Sequence, residues 1–419
     1  MKIILCLLMA GISLSSFGEK ALREAPLKDK SNERKDIVLT EAQQEFVTGG
    51  NGFALKLVNQ LYKGKSFICS PLSLQFALGM VNTGAEGATS DEICAMLGYG
   101  AGAPDAVNAY AKLLADGLTS VDRTTSMDVA NFLVYNTNFN GQGSVSLNKP
   151  FVNSLEKYYD AGIELFDFEK EKAAALGRIN GWCSEKTHKM IPSILDDVNP
   201  ISLCYILNAV YFKGIWANKF NKDRTREEDF FPEKGATKKV EMMHLTDDFG
   251  YTANDVWKSL TMPYGNGAFR LTAYLPQKGR TVADVLATLD AETLARTSGR
   301  RYTDEVRVSF PKFETASTMP LNDVLKALGM KRAFKSGAAQ LKTMSPMANC
   351  ISSVLQKAKI KLDEEGTEAA AVTVVAVEGC TAIPNPPEPL TFRADHPFFY
   401  VITEVSTGAV IFAGCYAGD

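Results

Sequence analysis

The stretch Glu364-Glu365-Gly366-Thr367-Glu368-Ala369-Ala370-Ala371-Val372-Thr373, continued by VVAVEGC to residue 380, is the most informative part of the chain. Side chains of an extended strand alternate between two faces. One face here is small and uncharged, and it consists of Thr367, Ala369, Ala371, Thr373, Val375 and Val377. The other face carries Glu368 and Glu378. The pattern predicts a strand with one face that can enter a sheet without burying a charge.

Other interpretations of this stretch remain open. Thr367 followed by Glu and Ala could cap an ordinary helix, whereas four valines and a threonine within residues 372–377 favour a strand. Such a strand could be a permanent part of a sheet, or it could be a loop for part of the time. The segment that follows, residues 383–389, reads IPNPPEP, and prolines cannot donate hydrogen bonds to a ladder. A loop is therefore predicted directly after the strand.

The N-terminus resembles a secretory signal. Lys2 precedes the apolar stretch 3–12, and Ser16-Phe17-Gly18 provides a cleavage site before Glu19. We therefore expect a signal peptide at 1–18, and no apolar segment is long enough to span a membrane. Residues 19–44 are rich in charge and poor in aromatics, which predicts a disordered tether. We expect residues 45–419 to be one folded domain and the protein to be secreted to the periplasm, the cell surface or the medium.

Charge and cysteine usage exclude several classes of function. The formal net charge is −3 and no basic run occurs, so we expect no nucleic-acid partner and no heparin site. Loss of the signal peptide would leave seven of the eight cysteines, widely spaced and without a C-x-x-C pair. This spacing argues against a zinc site or a disulfide framework. We expect no metal and no cofactor.

The sequence offers no catalytic machinery. Only three histidines occur, His188, His244 and His396, and no nucleophile elbow, H-E-x-x-H or phosphate-binding loop accompanies them. His396 precedes a proline in an apolar stretch, which predicts a hydrogen-bonded structural role. We therefore predict no catalytic residues and rank a hydrolase last among the functions.

Apolar helices and strands fill the rest of the chain. Residues 53–61 have helical spacing, and residues 73–82 form a second apolar helix that Ser70-Pro71 opens and Thr83-Gly84 closes. Residues 202–212 are an apolar strand with one amide, Asn208, in its middle. Because a buried amide must be hydrogen-bonded, Asn208 predicts polar partners inside a sheet.

Several blocks resemble the serpin family, in order and over essentially all of residues 45–419. They are Ser70–Leu74 with Ala77–Met80 and Gly84–Thr89, Ile179–Trp182, Leu207–Trp216, Met262–Tyr264, Phe310–Phe313, Leu328–Met330 and Phe392–Phe398. The resemblance implies an α+β fold, namely a single domain of three β-sheets and eight to nine helices with an exposed reactive loop at about 364–391. It also implies a suicide mechanism. The target protease cleaves this loop, forms a covalent acyl complex with it, and is displaced as the loop inserts into the central sheet. A monomer is expected.

The resemblance also carries roles onto individual residues. The hinge comprises Glu364, Glu365, Gly366, Thr367, Glu368, Ala369, Ala370, Ala371, Val372 and Thr373. The reactive bond falls at Cys380–Thr381, to within a residue or two because the loop downstream is long and rich in proline. The cluster that controls sheet opening comprises Ser70, Ser73, Asn208, Gln356 and Trp216. Gln356 departs from the family, which usually has histidine there. Glutamine can donate and accept but cannot take a positive charge, so pH sensitivity from that histidine should be absent.

The small residue at the reactive bond suggests the target. Cys380 suits a shallow pocket, which predicts elastase-like or subtilisin-like serine proteases, with papain-like cysteine proteases as the alternative. No basic residue lies between Gly366 and Phe392, so trypsin-like targets are not expected, and Glu378 leaves a glutamyl-specific protease as a minor option. A second alternative is a non-inhibitory serpin that acts as a binding protein.

Overall fold

The structure, a computed structural model, describes residues 32–100, 104–139, 146–299, 304–367 and 388–419. These ranges contain nine α-helices: α1 Glu41–Leu61, α2 Pro71–Thr83, α3 Gly87–Leu97, α4 Pro104–Leu118, α5 Lys149–Tyr159, α6 Lys172–Lys186, α7 Val282–Thr288, α8 Ala291–Ser298 and α9 Asn322–Ala327. They also contain fifteen strands: β1 Phe67–Cys69, β2 Ser126–Asn136, β3 Gly162–Phe166, β4 Cys204–Ile215, β5 Arg226–Phe230, β6 Lys238–Ala253, β7 Trp257–Tyr264, β8 Phe269–Pro276, β9 Asp304–Pro311, β10 Phe313–Pro320, β11 Leu355–Asp363, β12 Gly366–Thr367, β13 Leu390–Arg393, β14 Phe398–Glu404 and β15 Val410–Tyr416.

The folded part begins before residue 45, so the predicted boundary of the tether is wrong at its C-terminal end. Helix α1 starts at Glu41, and Thr40 and Gln43 form a capping box at its N-terminus. Ahead of it, the buried Ile37 donates its N–H to the Ser406 hydroxyl. Asn32 donates to the Asp122 carboxylate. The charged composition suggested disorder, but these contacts fix the segment from residue 32 onwards against the domain.

The six-stranded sheet has the order β10-β11-β12-β4-β2-β3. Helix α2 packs against one face of β4, where the main core lies. On the other face, a separate apolar cluster joins Phe132 and Leu207 of the sheet to Ile179 and Trp182 of α6. The sheet is therefore covered on both faces, and each strand must divide its side chains between two apolar environments.

The predicted three sheets are present as two hydrogen-bonded networks. The second network has nine strands, and it arises because the 16-residue strand β6 belongs to two sheets at once. Its first half pairs with β9 from Met242 to Phe249, and its last residues, Gly250 to Ala253, pair with β7. This strand joins two of the expected sheets edge to edge.

Several local predictions are confirmed. Helix α2 spans the predicted 73–82, with the Ser70 hydroxyl accepting from the Ser73 N–H at its start and Gly84 at its C-cap. The predicted strand at 202–212 corresponds to β4. These two elements were predictable because the residues that mark where each one starts and ends lie close to it in the sequence.

Candidate functional site

The site lies between strands β4 and β11 of the six-stranded sheet. Strand β12 stands between them and has two residues, of which Gly366 pairs with Ile215 and Asp363, and Thr367 with Gly214 and Leu362. Below β12, no ladder pair between β4 and β11 occurs in the described residues. We call this opening the gap. The start of the predicted hinge therefore occupies the upper end of the gap, and no other strand of the described residues pairs with β4 or β11 within the gap.

The upper end is fixed by backbone contacts that only glycine allows. Gly366 has a φ of 151°, a region that side chains disfavour, and a Cβ there would collide with the carbonyl oxygen of Gly214. The backbone N–H of Trp216 donates to the Glu365 carbonyl at 2.8 Å. Together these contacts hold the chain as it turns from β11 into the gap.

Aromatic side chains support the same junction. Trp216 is 2% exposed, stacks on Tyr264 with ring centroids 4.4 Å apart, and donates from its indole to the Asp363 carbonyl at 2.9 Å. The Tyr264 hydroxyl shares a 2.7 Å hydrogen bond with the hydroxyl of Thr367, whose side chain is buried. Burial raises the pKa of Tyr264 well above its ordinary value, so this hydroxyl is neutral. We call Gly214–Trp216, Tyr264 and Asp363–Thr367 the upper junction.

Two carboxylates complete the upper junction. Glu365 bonds Lys219 at 2.7 Å and Lys222 at 3.1 Å, and the bond from Lys219 is the main reason that its pKa lies below the ordinary value. Burial alone would raise the pKa of Glu364, but hydrogen bonds from its own N–H and from Thr225, with the charge of Lys312, lower it overall. Both carboxylates are therefore ionised at neutral pH and hold the turn before Gly366.

Halfway down the gap, the β11 side has a closed polar network. The Gln356 side chain, 7% exposed, accepts from the Ser70 N–H at 3.0 Å and donates to the Ser70 carbonyl at 2.8 Å. The Ser70 hydroxyl donates to the Ile411 carbonyl. Glutamine thus supplies one acceptor and one donor to one residue of the α2 N-terminus. The predicted partnership of Ser70, Ser73 and Gln356 is present as a hydrogen-bonded unit.

On the β4 side, Asn208 makes its bonds away from Gln356. Its amide N–H₂ donates to the Asn131 side chain at 2.7 Å and to the Ala130 carbonyl at 3.2 Å, both on β2. Its side-chain oxygen is buried and has no hydrogen-bond partner among the described residues. Polar partners of Asn208 were predicted, but they lie on the neighbouring strand. We call Ser70, Ser73, Asn208 and Gln356 the mid-sheet cluster.

Below the mid-sheet cluster the gap widens into a cleft of about 300 Å³. Its lining is mostly apolar and includes Leu78 of α2, Ile206 of β4 and Ile351 ahead of β11. Asn208 and Gln356 lie at its polar end. The cleft and the gap form one groove along the edges of β4 and β11, which is the space that an additional strand would fill.

Comparison with known proteins decides the family. A sequence model of the family "Serpin (serine protease inhibitor)" matches residues 48–417, which is most of the chain. The chain is a serpin. Proteins of this family act on target proteases, mostly as inhibitors.

The relatives of this serpin cover nearly its whole length. Serpin B6 of Macaca fascicularis is 32% identical over 389 residues, which are 89% of this chain and 99% of that protein. Intracellular coagulation inhibitor 2 of Tachypleus tridentatus is 31% identical over 89% of this chain and 91% of its own. The solved structure of the thermophilic serpin Tengpin in the native state has a TM-score of 0.80 and 28% identity, over 94% of this chain and 98% of that one.

Much of this serpin's predicted site lies outside the described residues. Glu364 to Thr367 of the hinge are described, and they lie at the upper junction. The remaining hinge residues, Glu368 to Thr373, and the predicted reactive bond Cys380–Thr381 fall in the range 368–387, outside the described part. The structure brings Trp216 to the four described residues of the hinge, and it places Ser70, Ser73, Asn208 and Gln356 around the gap.

Sequence reasoning missed several residues of this serpin's site. Asn131 holds Asn208, Tyr264 meets Thr367, and Lys219 and Lys222 bind Glu365. Each pair is far apart in the sequence. Tyr264 had a signal, since it belongs to a block that resembles the family, but nothing in the sequence marked it as the partner of Thr367.

The three histidines have structural partners in this serpin. His396 donates from Nε2 to the Pro276 carbonyl and bonds the Asp395 carboxylate through Nδ1, so it is hydrogen-bonded as predicted. His244 lies between Ser309 and Glu228, and His188 lies beside Asp128. In the described ranges no cluster of His, Cys, Asp or Glu is arranged to hold a metal ion. None of the helices there has the length and apolar content that a bilayer crossing requires.

Proposed function

We propose that this serpin is a suicide-substrate inhibitor of secreted proteases and that its reactive loop inserts into the gap between β4 and β11. The single observation that carries the proposal is the position of Gly366–Thr367, which are paired on both sides at the upper end of an otherwise unpaired gap. A strand started at this place can be extended downwards without breaking any ladder in the described sheet.

The register of β12 supports the choice of the inserting residues. Gly366 pairs with Ile215 and with Asp363, so continuing both ladders by seven residues places Thr373 opposite Asn208 and Gln356. Thr373 lies on the same strand face as Thr367, and that face is small throughout. The Thr373 hydroxyl could then donate to the buried side-chain oxygen of Asn208, which has no other described partner. Insertion would thus satisfy a polar atom that the present form leaves unbonded.

On this proposal, the native form is kinetically trapped. Cleavage releases a strand that completes the sheet and gives a more stable form. Heating is the simplest test. Protein cleaved within the loop should unfold at a much higher temperature than intact protein, because the inserted strand adds ladder hydrogen bonds and buries apolar surface. Equal thermal midpoints before and after cleavage would count against insertion and favour a non-inhibitory binding protein.

We further propose cleavage at Cys380–Thr381 by an elastase-like or subtilisin-like serine protease, with a covalent acyl complex as the product. Small, moderately apolar Cys380 and the lack of basic residues between Gly366 and Phe392 support this target class. Incubation with elastase should give a complex that survives SDS, whereas trypsin should not. A complex only with trypsin would overturn the target class, and a complex only with papain would move it to cysteine proteases.

A substitution on the inward face tests insertion directly. Ala369→Arg should leave the native thermal midpoint unchanged but convert the inhibitor into a substrate, because the guanidinium would be buried in the sheet. Thr367→Arg should have the same effect on inhibition, with a loss of native stability as well because Thr367 is already buried beside Tyr264. Ala370→Arg, on the outward face, is the matched control and should still form complexes. Undiminished complex formation by Ala369→Arg would contradict insertion.

We propose that the inhibitor acts outside the cell as a monomer, has no catalytic role of its own, and needs no cofactor, heparin-like polymer or nucleic acid. The apolar stretch at 3–12 and the cleavage site at 16–18 support export. Relatives include an inhibitor named as intracellular, so the N-terminus is what decides the location. N-terminal sequencing of the protein recovered from its producing cells should begin at Glu19, and an intact Met1 would argue against export.

A further inference from the structure

The cleft below the mid-sheet cluster is large enough to hold a small molecule. Its volume of about 300 Å³ lies at the lower end of the range of pockets that bind small ligands. Its walls come from both sides of the gap, and they include Leu78 of α2, Ile206 of β4 and Ile351 ahead of β11. Because most of the lining side chains are apolar, the cleft favours a ligand with an apolar body.

The charged side chains at the cleft already have partners. In the described structure two charged residues line it, Asp197 and Lys357. Asp197 lies 2.8 Å from Lys172, and Lys357 lies 3.5 Å from Asp196. A charged head group would therefore find no free counter-ion, and it would still have to leave water to enter an apolar space. The cleft favours an uncharged ligand.

At the polar end of the cleft, the mid-sheet cluster offers a hydrogen-bond acceptor. Gln356 uses both its side-chain oxygen and its nitrogen on Ser70, and the Asn208 nitrogen donates to Asn131 and to the Ala130 carbonyl. The Asn208 oxygen, on the other arm of the same amide, is buried and has no partner among the described residues. Since an unbonded buried acceptor is costly, a ligand head group that carries a donor would be stabilised there.

We propose that this cleft binds a neutral amphipathic molecule of the class of medium-chain alcohols. Its hydroxyl donates to the Asn208 oxygen, and its alkyl chain lies among Leu78, Ile206 and Ile351. The chain matches the apolar lining, the hydroxyl supplies the donor, and the neutral head group avoids the cost of burying a charge. Such a ligand occupies space that an inserted strand would fill. Binding itself does not depend on the proposed function, whereas an effect on inhibition rests on it.

Octanol and its methyl ether test the head group. The ether keeps the chain but has no donor, so it should bind about 2- to 10-fold more weakly, the range that one hydrogen bond supports. Octanoate, which would bring a charge into the cleft, should also bind more weakly than octanol. Cys350 lines the cleft and is half-buried, so bound octanol should slow its alkylation by iodoacetamide, measured by peptide mass spectrometry. Equal protection by the alcohol and the ether, or no protection by octanol, would overturn the site.

Filling the cleft is an independent test. Ile351→Trp places a larger side chain in it and should weaken octanol binding about ten-fold, measured by the octanol-dependent rise in the thermal midpoint of the intact protein. Ile201→Trp is the matched control, since Ile201 is 67% exposed and is not part of the lining. An equal rise in both variants would overturn the site. The alkylation of wild-type Cys350 decides the question if Ile351→Trp does not fold.

The effect on inhibition separates this site from the proposed function. Octanol should raise the stoichiometry of inhibition, the number of inhibitor molecules consumed for each elastase molecule trapped, because a filled cleft obstructs the inserting strand. Elastase acting on a peptide substrate in octanol is the control. If octanol protects Cys350 but elastase forms no stable complex, inhibition is refuted and the ligand site stands. If complexes form and octanol neither protects Cys350 nor changes the stoichiometry, the ligand site is refuted and inhibition stands.

Discussion

The upper junction and the mid-sheet cluster lie along the same gap but connect its two sides differently. At the upper junction, Trp216 and Tyr264 reach from the β4 side to Asp363 and Thr367 on the β11 side. At the mid-sheet cluster, Gln356 bonds Ser70 and Asn208 bonds Asn131, and in the described structure no hydrogen bond joins Gln356 to Asn208. The first region ties the two strands together, whereas in the second each strand makes its hydrogen bonds away from the gap.

This difference indicates where the sheet resists opening and where it does not. Widening the gap at mid-sheet breaks no hydrogen bond between Asn208 and Gln356, so its cost there is limited to solvent exposure. Widening it at the upper junction separates a stacked aromatic pair and several hydrogen bonds. On the proposed mechanism, the upper junction holds the start of the hinge in place, and the lower part of the gap accepts the remaining hinge residues.

The largest expected effect is at Trp216. Trp216→Ala removes a fully packed ring and its bond to the Asp363 carbonyl, and large-to-small substitutions of this kind cost about 3–5 kcal/mol. The thermal midpoint of the native form should fall markedly. Trp216→Phe, which keeps a ring against Tyr264 but loses the indole N–H, should lose only about 1 kcal/mol. Equal losses in the two variants would show that ring packing does not hold the upper junction.

Gly366 comes next. Gly366→Ala places a Cβ against the Gly214 carbonyl at a φ that only glycine adopts easily, so we expect a loss of about 2–3 kcal/mol in native stability. Gly64→Ala is the control for a positive φ without a collision, since its φ is 75° and no atom lies within 4 Å of the added Cβ. The two thermal midpoints separate backbone strain from collision. A loss at Gly366 no greater than at Gly64 would mean that the close approach to β4 is unimportant.

Local signals made part of this site predictable from the sequence. The helix α2 and its Ser70 cap are set by residues within a few positions of each other, and the alternation of residues 364–377 already marked one face as small. The need for a polar partner at Asn208 was also visible, because an amide stood alone in an apolar strand. The start of α1 could have been found from Thr40 and Gln43, whose capping-box spacing is local.

The contacts across the gap were not predictable in the same way. Asn131 lies 77 residues from Asn208, and Tyr264 lies 103 residues from Thr367. Such pairs depend on strand order and register, which one sequence does not specify. The merging of two expected sheets through β6 has the same cause, since nothing in a 16-residue strand marks where it changes partners.

Substitutions in the mid-sheet cluster should cost less native stability than substitutions at the upper junction. Gln356→Leu leaves the buried N–H and carbonyl of Ser70 without their partners, and we expect a cost of about 2 kcal/mol. Gln356→Glu is a sharper variant, because a carboxylate accepts from the Ser70 N–H but cannot donate to its carbonyl when ionised. Thermal midpoints should rank wild type above both. No loss in Gln356→Leu would indicate that the network forms only after insertion.

The smallest effect, and the one that distinguishes the two regions by pH, involves Glu365. Its pKa in the folded protein is lower than the ordinary 4.5, chiefly because of Lys219. Its stabilisation is therefore fully present above pH 4.5 and is lost as the pH falls through the folded-state pKa. Glu365→Gln should lower the thermal midpoint slightly at pH 7 and should flatten its fall below pH 4.5, with Glu45→Gln on α1 as the control.

Because Gln356 carries no titratable proton, the mid-sheet cluster should add no pH dependence between 5 and 8. Gln356→His should create one, with stability falling as the pH drops below about 6.5, since burial disfavours the charged imidazole. His244 gives the wild type some dependence of the same sign, because burial lowers its pKa, so the test is the difference between the two proteins. A pH profile of Gln356→His that matches the wild type would contradict this expectation.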